Sequence, residues 1–372
     1  MKSIDPLAST RLHAYAAASD SGDYPVAADA GSASRSDCWL SILIPAYNVG
    51  LYLEECLTSI TRQLAPGVEI VVVDDASTDN SPVILGRFEI LIGTTLRVVT
   101  LANNAGLAAA RNRLLREARG NYCWFVDGDD VMCLGTIRSL RRIIASASVD
   151  LVMCDFRVQR EHFRLKHRLR GEAHRRTFTG PSRQHSSNHD ALVAGLLMAG
   201  QLHPWSKIAR REVWQSVRFP EGRYFEDITA LPRLVRLVRS HIHVPEPWIG
   251  YRQRDGSILS EITPGKIRDQ LRALGDLASN LDLPAANPRD KAGFALRHFL
   301  LRSHASLARR LVNDPALDAA TLREEVCESL LRNFPDGPGA TLRDYRRRGW
   351  FLRGWRARRS LRGIGFRDDA NQ

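Results

Sequence analysis

The run Asn121-Tyr-Cys-Trp-Phe-Val126, continuing into Asp127-Gly128-Asp129-Asp130, decides how the rest of the chain is read. Its aromatic and apolar first half predicts a buried strand of a parallel sheet, where strands are near-continuously hydrophobic. It stops on three carboxylates set around a glycine. In open α/β sheets ligands bind just beyond the carboxyl ends of the strands, which is where these acids fall. Uncompensated acids this close repel one another, so a cation is their natural partner, and oxygen-only ligands favour Mg²⁺ or Mn²⁺ over zinc. On an extended segment Asp127 and Asp129 can face the same side, and Gly128 leaves room for a bulky anion. Solvated acids in a glycine turn would carry the same letters. The segments upstream shift the balance toward a site.

Those segments alternate strand and helix. Trp39–Ile44 predicts a buried strand ending at Pro45-Ala46-Tyr47-Asn48, and Leu53, Leu57, Ile60 and Leu64 then recur at helical spacing. Val68–Val73 is a second strand, ending on Asp74-Asp75-Ala-Ser-Thr-Asp79, after which Ser81-Pro82 opens a helix. A third strand, Leu96–Leu101, leads through Asn103-Asn104-Ala105-Gly106 into a helix carrying Leu107, Arg111, Leu114 and Ala118. The Asn121 strand is the fourth, Ile137–Ile144 is helical, and Asp150–Cys154 is a fifth strand. Such alternation predicts a doubly wound, mostly parallel sheet with right-handed crossovers. Neighbouring strands in that sheet would bring Asp74-Asp75 and Asp127–Asp130 to one rim, beside Tyr47, an aromatic able to stack on a base. The first strand-helix turn lacks G-x-G-x-x-G, which argues against a dinucleotide, and there is no Walker lysine loop.

Composition bounds the partners. The 372 residues suffice for one large α/β domain and a smaller addition, and a hydrophobic fraction of 44% is ordinary for a globular chain. No apolar stretch is long enough for a membrane span, and Lys2 is followed by small and polar residues rather than the apolar core of a signal peptide. Cys38, Cys56, Cys123, Cys133, Cys154 and Cys327 lack C-x-x-C spacing, which suits a reducing compartment and argues against a disulfide framework or structural zinc. The net charge of +12 calls for an anionic partner whose identity depends on where the charge lies.

In order and spacing, Ser41–Asn48, Val72–Asp79, Asn104-Ala-Gly106 with Ala110-Arg111-Asn112, and Phe125–Asp130 resemble the family 2 glycosyltransferases of GT-A fold. These are inverting enzymes that use a nucleotide-diphospho-sugar. The likeness runs over roughly 40–260. It implies a donor site of Pro45, Tyr47, Asp75, Asn104, Gly106, Arg111 and Asp127. Within it, Tyr47 and Asp75 would meet a uracil-type base and Asp127 the ribose. Asp129, with Asp127 and Asp130 beside it, would hold the Mg²⁺ or Mn²⁺ that bridges the diphosphate. Arg111 would contact base or phosphate, although a solvated helix arginine reads the same way.

Downstream, His203-Pro-Trp205-Ser-Lys207 and the acidic pair Glu226-Asp227 resemble the second half of the family, which implies Asp227 as the base that deprotonates the acceptor hydroxyl. An acid favoured by a helix dipole would occupy the same position. Tyr251-Arg-Gln-Arg254 and Ser257-Ile258 extend the likeness, with Arg252 or Arg254 steadying the diphosphate or making a surface ion pair. Absence of Q-x-x-R-W implies transfer of a single sugar rather than polymer extrusion. The segment 156–190, with His162, His167, His174, His185 and His189, matches no metal-ligand spacing and predicts a solvated, mobile insertion beside the acceptor site. From Pro264 to Phe334 the pattern is helical: Ile267, Leu271, Leu274 and Leu281 form one stripe, Asn287-Pro288 opens a second helix, and Leu322–Leu331 is a third. Arginines interleaved with Trp350, Phe351, Trp355 and Phe366 suit an anionic membrane surface; RNA binding or self-packing would also fit.

Taken together, these readings predict a disordered leader over 1–36, a GT-A domain over 37–260, a helical extension over 261–335 and a basic aromatic tail over 336–372. The expected activity is metal-dependent transfer of a sugar from a UDP-sugar to a glycan or lipid-linked acceptor of the cell envelope or an exopolysaccharide. The expected place is the cytoplasm, with possible attachment to the inner face of the plasma membrane. A sugar-nucleotide hydrolase, a nucleotidyltransferase and a nucleic-acid-binding protein are the alternatives; the acidic rim disfavours nucleic acid.

Overall fold

The computed structural model describes residues 38–366 apart from 161–164, 254–261, 282–289, 315–316 and 318–319. The leader 1–36, Arg254, Ser257-Ile258, Asn287-Pro288 and His162 lie outside the described residues. The first half alternates as its sequence predicts: β1 (Leu40–Ala46), α1 (Gly50–Thr61), β2 (Val68–Asp74), α2 (Ser81–Ile92), β3 (Leu96–Thr100), α3 (Leu107–Glu117) and β4 (Tyr122–Phe125). Every residue of β1 and β4 is buried, the consequence of helices covering both faces of a central strand. In α1, Leu53, Cys56, Leu57 and Ile60 form the stripe that packs onto the sheet.

β5 (Val131–Met132), α4 (Thr136–Ser146), β6 (Leu151–Gln159), α5 (Leu165–Leu169), α6 (His189–Ala199), β7 (Lys207–Arg210), α7 (Arg211–Gln215), α8 (Glu226–Leu237) and β8 (His241–Arg252) follow. The strands form one 8-stranded sheet in the order β3-β2-β1-β4-β7-β6-β8-β5. β3, β2, β1 and β4 are mutually parallel, β7 runs antiparallel to both β4 and β6, and β5 runs antiparallel to β8. This is a mixed, mostly parallel sheet. The strand order reverses at β1, so β2 and β4 flank its carboxyl end and open a crevice there.

Three strands escape the sequence pattern, the two-residue β5 among them. β7 has only four residues, a lysine first and an arginine last. β8 contains Pro245 and Pro247, which read as breaks; they sit where its parallel pairing with β6 slips register, between Cys154 and Phe156. A bulge tolerates proline because the ladder hydrogen bond is already missing there.

The segment 156–190 is largely exposed, as its composition suggests, but a few buried residues anchor it to the sheet. Phe156–Gln159 extend β6, Thr177 and Phe178 are buried, and His189 begins α6. The fully buried Asp155 carboxylate accepts hydrogen bonds from His243 Nε2 at 2.9 Å, His174 Nε2 at 2.7 Å and the Thr177 amide at 2.9 Å. Burial pushes the Asp155 pKa up, yet these hydrogen bonds outweigh it and hold the group below its ordinary value. His174 is thus a structural partner of an acid. Among the described residues, no group of three or more His, Cys, Asp or Glu is placed to hold a metal ion.

Five helices complete the described chain: α9 (Pro264–Asn280), α10 (Lys291–Asn313), α11 (Ala320–Asn333), α12 (Gly339–Arg347) and α13 (Phe351–Gly363). The predicted stripe Ile267, Leu271, Leu274 and Leu281 is buried. α9 packs on α8 and α11, and α10 packs on α6 of the sheet domain and on α13. Trp350 sits in an aromatic cluster with Phe294, His298 and Tyr345. The arginine-rich C-terminal stretch therefore folds back on the body, leaving Phe351, Leu352 and Trp355 exposed. All six cysteines are free thiols, and none of the described helices is long and apolar enough to cross a membrane.

Candidate active site

The crevice at the end of β1 is floored by loops that side-chain hydrogen bonds tie together. Asn48 adopts a left-handed φ of 49°, and its Oδ1 accepts from the amides of Thr78 and Asp79, tying the end of β1 to the loop after β2. Asp75, buried at the tip of β2, spends both carboxylate oxygens on the next loop: Oδ1 accepts from the Ala105 amide at 2.7 Å and Oδ2 from the Gly106 amide at 2.8 Å. Gly106 has a φ of 87°, a conformation a side chain would strain, and caps α3. Pro45, Tyr47, Asp75, Asn104 and Gly106 all line one cleft of about 1320 Å³, with the Tyr47 ring half exposed.

At the end of β4 the three acids part company. Asp127 and Asp129 line the cleft, whereas Asp130 is fully buried and does not. Asp130 Oδ1 accepts from the Arg252 amide at 2.8 Å, and its Oδ2 has no hydrogen-bond partner. Burial first, then repulsion from Asp127 and Asp129, pushes the Asp130 pKa well up, and the acid underpins the turn from beneath. Gly128 also differs from expectation. A Cβ there would lie 3.1 Å from Val49 Cγ2 and 3.2 Å from the Pro45 carbonyl, so the glycine serves close packing of the turn against the end of β1. Arg252 is engaged as well: its Nε donates to the Asp129 carbonyl, its guanidinium pairs with Glu55, and it lies over Tyr52.

The organising side chain is Arg111. It projects from α3, is buried, and pairs with Asp127 Oδ1 at 3.2 Å through Nη2 and with Glu226 Oε1 through Nη1. Its guanidinium also lies over the Phe219 ring. Burial opposes the charge, but Asp127, Glu226 and Asp227 outweigh it and hold the pKa above the ordinary value. One buried cation thus serves three acids drawn from β4 and α8.

The acids at the head of α8 follow Phe225, whose φ of 61° is unusual for an aromatic residue. Glu226 faces Arg111, while Asp227 lines the cleft with Oδ1 accepting from the Ile228 amide at 2.8 Å. Burial raises the pKa of both, with Arg111 pulling each back down. His203 Nδ1 lies 3.8 Å from Asp227 Oδ2, and its ring stacks on Trp205. Burial, with Lys207 and Arg111, lowers the His203 pKa to about 3, so it is neutral. Lys207 lies buried beneath, donating to the carbonyls of Gln201 and His203; burial brings its pKa down to about 7, Asp227 opposing. The H-P-W-S-K spacing marked this segment but did not single out His203 and Lys207 as neighbours of the acid.

A divalent cation is tested by the donor set. Asp127 and Asp129 face the cleft at the reversal of strand order, and the unpartnered Asp130 Oδ2 beneath them shows acids crowded without full compensation. One or two carboxylates completed by phosphate oxygens is the usual provision for Mg²⁺, so these residues fit such an ion without a closed protein cage.

The sequence profile of glycosyl transferase family 2 matches residues 41–200, which hold β1 through α6 and the acid-bearing turns. The chain carries a family 2 glycosyltransferase domain. This glycosyltransferase is 29% identical over 235 residues to GlyG, a glycosyltransferase of Streptococcus pneumoniae, a match covering 59% of this chain and 72% of GlyG. It is 41% identical over 91 residues to TuaG of Bacillus subtilis, a putative teichuronic acid biosynthesis glycosyltransferase, over 24% of this chain and 36% of TuaG. Its fold is similar to residues 1–349 of S. aureus TarS, crystallised with UDP-GlcNAc, with a TM-score of 0.64 at 20% identity over 88% of this chain and 90% of that one.

Proposed function

We propose that the glycosyltransferase transfers a sugar, with inversion, from a UDP-sugar to a hydroxyl of a cell-envelope or exopolysaccharide acceptor. The observation that carries this reading is the meeting of the strand-end acids and Asp227 in one cleft around buried Arg111. Tyr47 offers a half-exposed face for the base, and the loop that Asp75 fastens shapes that end of the pocket. TarS binding UDP-GlcNAc and the biosynthetic assignment of TuaG support the donor and acceptor classes.

In this reading Asp227 is the base. The acceptor oxygen forms its bond to the anomeric carbon on the face opposite the leaving group, and the bond from that carbon to the phosphate oxygen breaks. The hydroxyl proton passes to Asp227, and UDP departs with the bonding pair. A carboxylate raised by burial is better matched to proton abstraction near neutral pH than an exposed one. Glu226 is already committed to Arg111, which leaves Asp227 for the proton. Asp129, with Asp127, would hold Mg²⁺ or Mn²⁺, which when bound supplies positive charge to the leaving diphosphate. The exposed Phe351, Leu352 and Trp355 among the arginines of α13 support peripheral attachment to an anionic membrane on its cytoplasmic side.

The test is product analysis with a panel of UDP-sugars, with and without Mg²⁺ or Mn²⁺. A glycoside of inverted anomeric configuration is expected. Free sugar alone, or release of pyrophosphate, would replace this reading with hydrolysis or nucleotidyl transfer.

A further inference from the structure

The cleft has a second wall that the donor does not need. α10 turns Arg302, Ser306 and Arg309 into it, and α13 turns Arg353, Arg356 and Ser360. In each helix these positions recur at three- and four-residue steps, so each presents a single stripe to the same space. The two helices come from separate parts of the chain, and neither contains an aspartate or glutamate. All four guanidiniums belong to exposed residues, and no ion pair to any of them is found among the described residues. The acids that line the cleft come from other elements, the strand ends and the head of α8. A solvated basic face would not require two helices to converge on one cavity.

The arginines are also positioned. Arg353 lies over the Trp350 ring at 4.4 Å and Arg302 over Phe299 at 5.6 Å, contacts that hold guanidinium planes in place. Gly200, at a φ of 65° after α6, has no room for a Cβ because the Arg302 guanidinium occupies that space. Partial enclosure of its head group, then repulsion from Arg353, lowers the Arg302 pKa against the opposing pull of Tyr345, and an anion between the two arginines would relieve both charges. Helical rise sets Arg302 and Arg309 about 10 Å apart along α10, giving the wall two positive regions.

We propose that this wall is the acceptor subsite, and that the acceptor carries phosphate close to the hydroxyl that is glycosylated. Tetrahedral phosphate oxygens accept from several guanidiniums at once, whereas a planar carboxylate is satisfied by a single fork. The cleft is continuous from this wall to Asp227, so a phosphate held here delivers its hydroxyl toward the base. The inference rests on the glycosyltransferase reading and specifies its second substrate.

The experiment is calorimetric titration of the full chain, saturated with UDP and Mg²⁺, with three probes: a glycerol-phosphate hexamer, farnesyl diphosphate and neutral maltohexaose. One phosphate probe should bind and maltohexaose should not. Binding by the hexamer assigns a phosphodiester polymer, and binding by farnesyl diphosphate a lipid carrier. The double variant Arg309→Gln with Arg356→Gln should weaken that binding by on the order of 10-fold per arginine removed, and the Lys pair should restore part of it. Affinity for UDP should stay as in the parent. If neither phosphate probe binds, or the Gln pair binds as tightly as the parent, the proposal is overturned. Failure of UDP itself to bind would strike the donor reading instead, and titration of the UDP-free protein with the same probes would still decide the wall.

Discussion

Replacing Arg111 with Met tests the hub of the site directly. The substitution keeps much of the apolar stem but removes the one buried cation shared by Asp127, Glu226 and Asp227. Arg111 and Glu226 are almost wholly enclosed, so solvent screens their pair little. Removing one partner of such a pair costs about 3–5 kcal/mol, because the remaining charges are left buried. At about 2–4 °C per kcal/mol, melting at pH 8 should fall by roughly 6–20 °C. The pH dependence carries the sharper test. All three acids have folded pKa values above their unfolded ones, so their protonated forms favour the fold, and stability drains as pH rises through the folded values. Arg111 lowers each of those values in the parent; without it they rise, and more stability is lost at high pH. Lowering the pH until the acids protonate should therefore shrink the difference between variant and parent. Thermal melts at pH 8 and pH 5 measure it. An equal deficit at both would mean that Arg111 acts through packing on Phe219, and the charge argument would be wrong.

Asp227→Asn should keep UDP affinity while turnover drops by about 10²-fold or more, the range general-base catalysis supplies; collapse of donor binding along with rate would make Asp227 a donor-site residue. Asp129→Asn should lose metal-dependent UDP binding, since an amide cannot provide the anionic ligand, and undiminished Mn²⁺-dependent binding would place the ion elsewhere. Gly128→Ala should destabilise the chain by about 1–3 kcal/mol, because its Cβ would crowd Val49 Cγ2 and the Pro45 carbonyl. A melt unchanged from the parent would show that the turn yields freely.

The central strands were legible because each apolar run gives way abruptly to polar residues: β1 to Asn48, β2 to Asp74-Asp75, β4 to Asp127. β7 and β8 were not, since one is short and charge-ended and the other is broken by prolines that a register slip absorbs. The same divide runs through the site. Strand-end acids announce themselves locally, but the role of Arg111 depends on Asp127, 16 residues away, and Glu226, 115 residues away. Nothing local separates Asp130 from Asp129 either. Their difference lies in the Arg252 amide, which β8 brings beneath the turn and which draws Asp130 out of the cleft.

Charge placement resolves what net charge left open. A total of +12 suits nucleic acid, membrane or an anionic substrate equally well while the arginines are only counted. Folded, the cleft carries Asp75, Asp127, Asp129, Glu226 and Asp227 at the strand ends and the head of α8, and arginines on α10 and α13 that form no ion pair among the described residues. A polyanion whose backbone ran past both the arginines and the acids would gain at the first and be repelled by the second. A nucleic-acid strand needs a basic track that follows its backbone, so this arrangement suits it poorly. The polarity suits two separate anions, one neutralised before it meets the acids and one taken directly by arginine. A nucleoside diphosphate entering with Mg²⁺ meets the first condition, and an acceptor phosphate meets the second. Between them stands Asp227, with its partner acid occupied by Arg111 and its own proton affinity raised by burial.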